Sequence, residues 1–339
     1  MKNLIVLVLI FGVNCTFSQS IKGKVINEQK TPLIGVNVYF DGTTIGTVTD
    51  INGNFNFNNR SKLNSTLVVS YVGYSSKYLN SIEPDKELII TLLPLITALA
   101  EVKVQQSSFT RKQKMQLFKE QFLGRTPQGK KTIISNEDDL YFEYNKGTKS
   151  LKAFSEKPLQ IYNSALGYKI SYELVSFEAQ FNKLSISSAD VNKSYYSGLS
   201  RFEETKSSAK ILKSREKSYE GSQLQFFRNL ANNFWNKNNF LLFKGSFQVN
   251  PSEYFTISNS SDLKKVIVAK DEKANLKNQF VAVFNILYKK KLQSKIIFET
   301  NVFFIDKFGN NSNTESIYFS GAMSEQKVGD MLPLNYGMN

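Results

Sequence analysis

With no histidine and only one cysteine among its 339 residues, this chain leaves carboxylate pairs as the candidates for chemistry. That excludes Ser-His-Asp and Cys-His nucleophilic pairs, and with them metal centres built on histidine ligands. Three acidic clusters remain: Glu137-Asp138-Asp139, Glu203-Glu204 and Asp271-Glu272. A glycosidase working through carboxylates needs two of them facing one another across a cleft, about 5–9 Å apart. Neighbouring residues on a strand point to opposite faces, so no single cluster supplies that geometry, and solvated turns account for all three. Asp41, Asp50 and Asn52 offer oxygen ligands for calcium. The stretch Asp50-Ile51-Asn52-Gly53 lacks the further acids of an EF-hand loop, however, and suits a turn in which Asp and Asn bond their own backbone. There is no glycine-rich phosphate loop. The expectation is no catalytic residue, no metal site and no cofactor. The catalytic alternative is a glycan-active enzyme whose two carboxylates lie far apart in sequence.

The elements that would position such groups are mostly strands. Residues 35–57 read as three short strands separated by two glycine-bearing turns. Val36, Val38 and Phe40 alternate with Asn37, Tyr39 and Asp41, the period of a sheet with one buried face. Phe55 and Phe57 point one way while Asn54, Asn56 and Asn58 point the other. A strand over 21–26 precedes this stretch. Strands over 67–72, 78–82 and 87–92 follow it, the first of them apolar on both faces as in a central strand. Seven short strands within about 85 residues predict a β-sandwich.

The order IKGKV, PLIGV, GTTIGT, DINGNF, SYVGY over residues 21–93 resembles the carboxypeptidase regulatory-like domain. The resemblance implies a transthyretin-like β-sandwich without peptidase chemistry of its own. In bacteria such domains stand at the N-terminus of outer-membrane TonB-dependent receptors and of assorted exported proteins. Leu99-Ala100-Glu101-Val102-Lys103-Val104 is similar to the segment that follows the domain ahead of a receptor plug. Only 235 residues remain beyond position 104, too few for a plug and a large barrel.

Residues 105–339 read as a mixed, mainly antiparallel β region with two helices. The first helix is expected over 111–123, with Met115, Phe118 and Phe122 on one face and Gly124 at its end. The second is expected over 216–234, with Leu224, Phe227, Leu230, Ala231 and Phe234 in a stripe. A hairpin is predicted at 140–154, strands at 158–161 and 168–177, and less legible segments at 177–185 and 195–202. Further strands are expected at 247–249, 254–257, 264–269, 280–288, 295–304 and 316–319. Met331-Leu332-Pro333-Leu334 is expected to dock. This region also resembles the C-terminal part of small exported proteins that carry the same N-terminal domain. The matching residues are Phe122-Leu123-Gly124, Pro158-Leu159, Ile161, Asn163, Leu166-Gly167-Tyr168, 219–222 and 330–336, and the resemblance implies no activity.

The first twenty residues have a Lys2 n-region, an apolar run over 4–13 and small residues at 16 and 18, which predicts a signal peptide at 1–18. Acylation of Cys15 is the alternative, although Gly12 and Asn14 suit a lipobox poorly. No later segment is apolar enough to span a membrane as a helix. The expected organisation is a signal peptide at 1–18, a β-sandwich at 19–104 and an α+β region at 105–339. The formal charge of +14 sits almost entirely in residues 105–339, which carry +12, against +1 for residues 21–104. Such a basic region suits an anionic surface or an acidic glycan, whereas export and the lack of a recognition motif argue against nucleic acid. The reading is an exported, non-enzymatic binding or scaffolding protein, periplasmic, outer-membrane associated or secreted. Its partner would be an envelope protein or a glycan. An accessory component of an outer-membrane uptake system is the alternative.

Overall fold

The computed structural model describes residues 20–58, 65–80, 82, 86–95, 108–270 and 280–338. The expected signal peptide with Cys15, the segment 99–104 and the pair Asp271-Glu272 lie outside the described residues.

Period-two alternation builds seven strands before residue 92: β1 (Ser20–Ile26), β2 (Asn37–Phe40), β3 (Gly46–Val48), β4 (Asn54–Asn58), β5 (Leu67–Ser70), β6 (Lys77–Leu79) and β7 (Leu88–Thr91). They form two sheets, β4-β1-β7 and β3-β2-β5-β6. Every pairing is antiparallel except β1 with β7, which is parallel. Val25, Val36, Val38, Phe40, Phe55, Leu67, Val69 and Ile90 fill the space between the sheets. Gly73 takes φ +83° just after β5, a left-handed bend that a side chain with a Cβ adopts only under strain. The predicted seven-stranded sandwich is the structure found.

The second region begins with α1 (Arg111–Phe122). Thr110 and Gln113 form a capping box at its start, and Gly124 follows its end at φ +91°. Met115, Leu117, Phe118 and Phe122 are buried against a six-stranded sheet. Its strands are β8 (Thr132–Ile134), β9 (Leu140–Asn145), β10 (Ser150–Ser155), β11 (Leu159–Asn163), β12 (Tyr168–Phe181) and β13 (Val191–Glu204). β12 is the spine: β11 and then β10 pair with one edge, and β13 with the other along nearly its whole length. A bulge between Leu174 and Ser176 shifts the register and leaves Val175 exposed. The stretch 177–204 lacks a clear period in sequence because the register shifts again between Gln180 and Phe181 and β13 does not alternate buried with exposed residues.

The helix expected over 216–234 is two helices, α2 (Ala209–Tyr219) and α3 (Gln223–Ala231). Gly221 at φ +71° breaks the run, and the Ser222 hydroxyl caps α3 by accepting the Gln225 N–H at 3.1 Å. Phe234 lies beyond the helix end and is exposed, so it is not part of the buried stripe. Eight further strands follow: β14 (Phe240–Lys244), β15 (Phe247–Val249), β16 (Phe255–Ser260), β17 (Leu263–Val268), β18 (Ala282–Tyr288), β19 (Leu292–Phe298), β20 (Val302–Ile305) and β21 (Ile317–Gly321). They form the sheets β15-β14-β18-β19-β21 and β16-β17-β20, and a short α4 (Ala322–Glu325) follows them. The single strand expected over 295–304 is therefore β19 and β20, which belong to different sheets. Phe298 and Phe303 both remain buried, stacked at 5.8 Å on either side of the corner. The described residues hold four α-helices in place of the two expected, and β14 is a strand that sequence reading did not single out.

Residues 105–339 thus contain two cores, one under α1 and one formed by α3 with β14–β21. The C-terminal tail runs between units. Val328 and Leu332 enter the α1 core, while Leu334, Met338 and the loop residue Phe308 pack against the N-terminal sandwich.

Candidate functional site

The place where polar groups distant in sequence converge is the junction between the sandwich and the β12–β13 ribbon. Strand alternation sends Asn37, Tyr39 and Asp41 to the outer face of β3-β2-β5-β6, and register puts Tyr39, Val68 and Tyr78 side by side there. This face is covered rather than solvated: Tyr39 is 5% exposed and Val68 is fully buried. The Gly42 N–H donates to Ser200 O at 2.7 Å, and the Phe202 N–H donates to Thr43 O at 2.9 Å. The turn after β2 therefore adds itself to the free edge of β13, satisfying backbone groups that an open edge would leave to water. The Ser200 N–H also donates to Asp41 Oδ1 at 2.7 Å. Arg201 donates to Asn37 Oδ1 and lies 5.9 Å from the centre of the Tyr39 ring. Glu173, on β12, accepts the Tyr78 hydroxyl at 2.8 Å and the Ser76 hydroxyl at 3.3 Å.

Burial pushes the Asp41 carboxyl up to about 6; the Ser200 and Gly42 N–H groups oppose the shift, and the charge of Glu173 adds to it. Burial and the bond to Glu173 push the Tyr78 phenol up to about 12. Two carboxylates 132 positions apart thus feel one another, which no acidic cluster in the sequence foretold. Each accepts protein hydrogen bonds across the junction. A folded-state value above the ordinary 3.8 means that the folded protein holds a proton that the unfolded chain has released between about pH 4 and 6. Over that window stability falls as pH rises, by roughly 1–2 kcal/mol. Asp41→Asn keeps the acceptor for Ser200 and removes the buried charge. It is expected to raise the melting temperature at pH 7.5 by a few degrees and to flatten the profile between pH 4 and 6. Thermal melts across that range check this, and a variant less stable than the parent at pH 7.5 would refute it.

The two acidic clusters among the described residues, Glu137-Asp138-Asp139 and Glu203-Glu204, pair with separate lysines and an arginine. Glu137 pairs with Lys119 at 2.5 Å, Asp139 with Lys157 at 3.0 Å, and Glu204 with Arg215 at 2.8 Å. Asp50 Oδ1 accepts the N–H groups of Asn52 at 2.9 Å and Asn54 at 2.8 Å, the self-bonded turn expected of it. Among the described residues no three His, Cys, Asp or Glu side chains meet as metal ligands. Two open concavities lie elsewhere. One, of about 580 Å³, runs beside α1 between Arg111, Met115, Lys119 and Glu137. The other, of about 380 Å³, lies on the outer face of β14-β18-β19-β21. Asp41 and Glu173 line neither.

The residues behind the second sequence resemblance gather along one seam. The Asn163 amide donates to Gly329 O at 2.7 Å, and the Gly329 N–H donates to Leu123 O at 3.0 Å. Arg215 Nε donates to Leu166 O at 2.8 Å, and the Tyr219 and Tyr336 rings meet at 5.7 Å. Asn163, Leu123 and Tyr219 thus contact the C-terminal tail, a packing role that spacing in the sequence does not reveal.

Residues 21–104 match the family model described as the CarboxypepD_reg-like domain. The TonB-dependent receptor SusC of Bacteroides thetaiotaomicron is 40% identical over 80 residues, which are 22% of this chain and 8% of the receptor. The chain therefore spans a small fraction of the length of that relative. No helix among the described residues is long and apolar enough to cross a membrane. The motif order, the two packed sheets and the family match agree, and the sandwich at the front of this chain is a CarboxypepD_reg-like domain.

Proposed function

We propose that the protein is a non-catalytic binding or scaffolding component of the bacterial cell envelope, with the N-terminal domain as its fixed support. The similarity to a TonB-dependent receptor supports an envelope-associated module and is the ground for the alternative, an accessory role in an outer-membrane uptake system. The observation that carries the non-catalytic reading is the junction itself: Asp41 and Glu173, carboxylates distant in sequence, are each engaged in hydrogen bonds that join the two parts. An acid–base pair needs instead an open approach for substrate on both groups. The two open concavities are candidate surfaces for a partner.

Pull-down from native envelopes with the chain lacking residues 1–18 tests this. A specific envelope component should be captured, and capture through the basic second region should weaken between 50 and 300 mM salt, since added ions screen surface charge. Turnover of an envelope glycan that disappears in an Asp41→Asn or Glu173→Gln variant would replace this reading with the enzymatic one.

A further inference from the structure

The concavity on the outer face of β14-β18-β19-β21 is built by register. Phe243 faces Asn285, Asn285 faces Lys295, and Lys295 faces Ser320, giving one row of side chains across four adjacent strands. Leu287 and Gln293 are opposite one another two residues along and form a second row. All six line the hollow of about 380 Å³, near the lower end of the roughly 300–1,000 Å³ of small-ligand sites. The floor is apolar, from Phe243 and Leu287, both half-buried. The remaining groups are polar. Asn285 is held by its amide donating to Gly245 O at 2.7 Å. The side chains of Gln293, Lys295 and Ser320 have no hydrogen-bond or ion-pair partner among the described residues, and all three are exposed. Among the described residues Lys295 is the only charged one that lines the hollow.

From this arrangement we infer that the hollow binds a carboxylated polysaccharide, with Phe243 and Leu287 under a sugar ring and Lys295 on its carboxylate. The inference rests on the binding reading above and names its ligand class. An aromatic side chain with apolar neighbours covers the C–H face of a pyranose. An amide and a hydroxyl suit sugar hydroxyls, each able to donate and accept. An unpaired ammonium beside them selects a ligand with an anionic group, and the +12 charge of residues 105–339 draws a polyanion towards this region. A lone lysine is too little for the repeated phosphates of nucleic acid. The apolar residues of the hollow form its floor and do not project, which leaves nothing there to enter a lipid layer.

The test uses the chain lacking residues 1–18, with polygalacturonate as the probe and uncharged dextran as the comparison, by isothermal titration calorimetry at 50 mM salt. Polygalacturonate should bind and dextran should bind at least tenfold more weakly. Lys295→Glu should reduce polygalacturonate affinity at least tenfold and Phe243→Ala severalfold. Lys291→Glu, in the turn before β19 and outside the hollow, should change it less than twofold. Equal loss in Lys291→Glu would reduce the effect to net charge and overturn the site. Equal binding of dextran would overturn the ligand class, and absence of polygalacturonate binding would overturn the inference outright. Envelope capture that survives in Lys295→Glu would leave the broader binding function standing in either of those cases.

Discussion

Phe308→Ala is expected to destabilise the protein by about 3–5 kcal/mol, the usual cost of deleting a fully buried aromatic side chain. Phe308 is 1% exposed, yet it belongs to a loop of the second region and lies in the core of the first. The loop that presents it is rigid for a local reason: Asp306 Oδ1 accepts the Phe308 N–H at 2.8 Å and the Asn310 N–H at 3.0 Å. The cost should therefore fall on the coupling between the parts as well as on total stability. Differential scanning calorimetry should show a single transition in the parent and a split one in the variant, with the N-terminal domain melting first. Phe247→Ala is the control, because that ring is 79% exposed and its loss should shift stability by less than about 0.5 kcal/mol. A Phe308→Ala variant melting within a degree of the parent would mean that the domains are not joined through this residue.

Arg228→Met should cost roughly 2–4 kcal/mol, and Arg228→Lys should recover less than half of it. From α3 the guanidinium donates to Phe308 O at 2.9 Å, Leu334 O at 2.8 Å and Tyr336 O at 2.9 Å, so one side chain holds the 306–310 loop and the tail together. It also lies 5.3 Å from the centre of the Tyr219 ring. Removing it leaves three carbonyls without their donor at a half-buried site, each costing about 1–3 kcal/mol where water cannot replace it. Lysine keeps the charge but has no planar fork, and one ammonium does not reach three carbonyls spread around a guanidinium. Hydrogen exchange gives the sharper readout. In Arg228→Met, protection should fall first at Leu334 and Met338, whose N–H groups bond Gly42 O and Asn335 O. If Leu334 kept its parental protection, the tail would be held by something other than this arginine.

Much of the fold was legible because local rules governed it. The alternation in Val36, Val38 and Phe40, the Asp50 turn and Gly73 each act over a few residues, and the sandwich follows from them. α1 was readable for the same reason, with a capping box at one end and Gly124 at the other. The helix expected over 216–234 took in α3 and only the last turn of α2, because α2 buries Arg215 and Ser218 rather than an apolar stripe, and Gly221 with its left-handed φ separates the two. β19 and β20 merged because both are apolar, and nothing local says that the chain changes sheets between them. The 177–204 stretch was obscured by the irregularity between Gln180 and Phe181 and by a β13 that does not alternate buried with exposed residues.

The sequence by itself determined the all-strand front domain, the absence of histidine chemistry and the uneven charge, since composition and short-range periodicity are properties of the chain and survive any folding. Only the tertiary structure decided that the outer face of the front domain is covered, that Asp41 and Glu173 both bond across its junction with the β12–β13 ribbon, and that Phe308 completes a core more than two hundred residues upstream. The row Phe243–Asn285–Lys295–Ser320 belongs to the same class. Each depends on which strands become neighbours, and pairing over such distances is chosen by the packing of the whole chain rather than by any one segment.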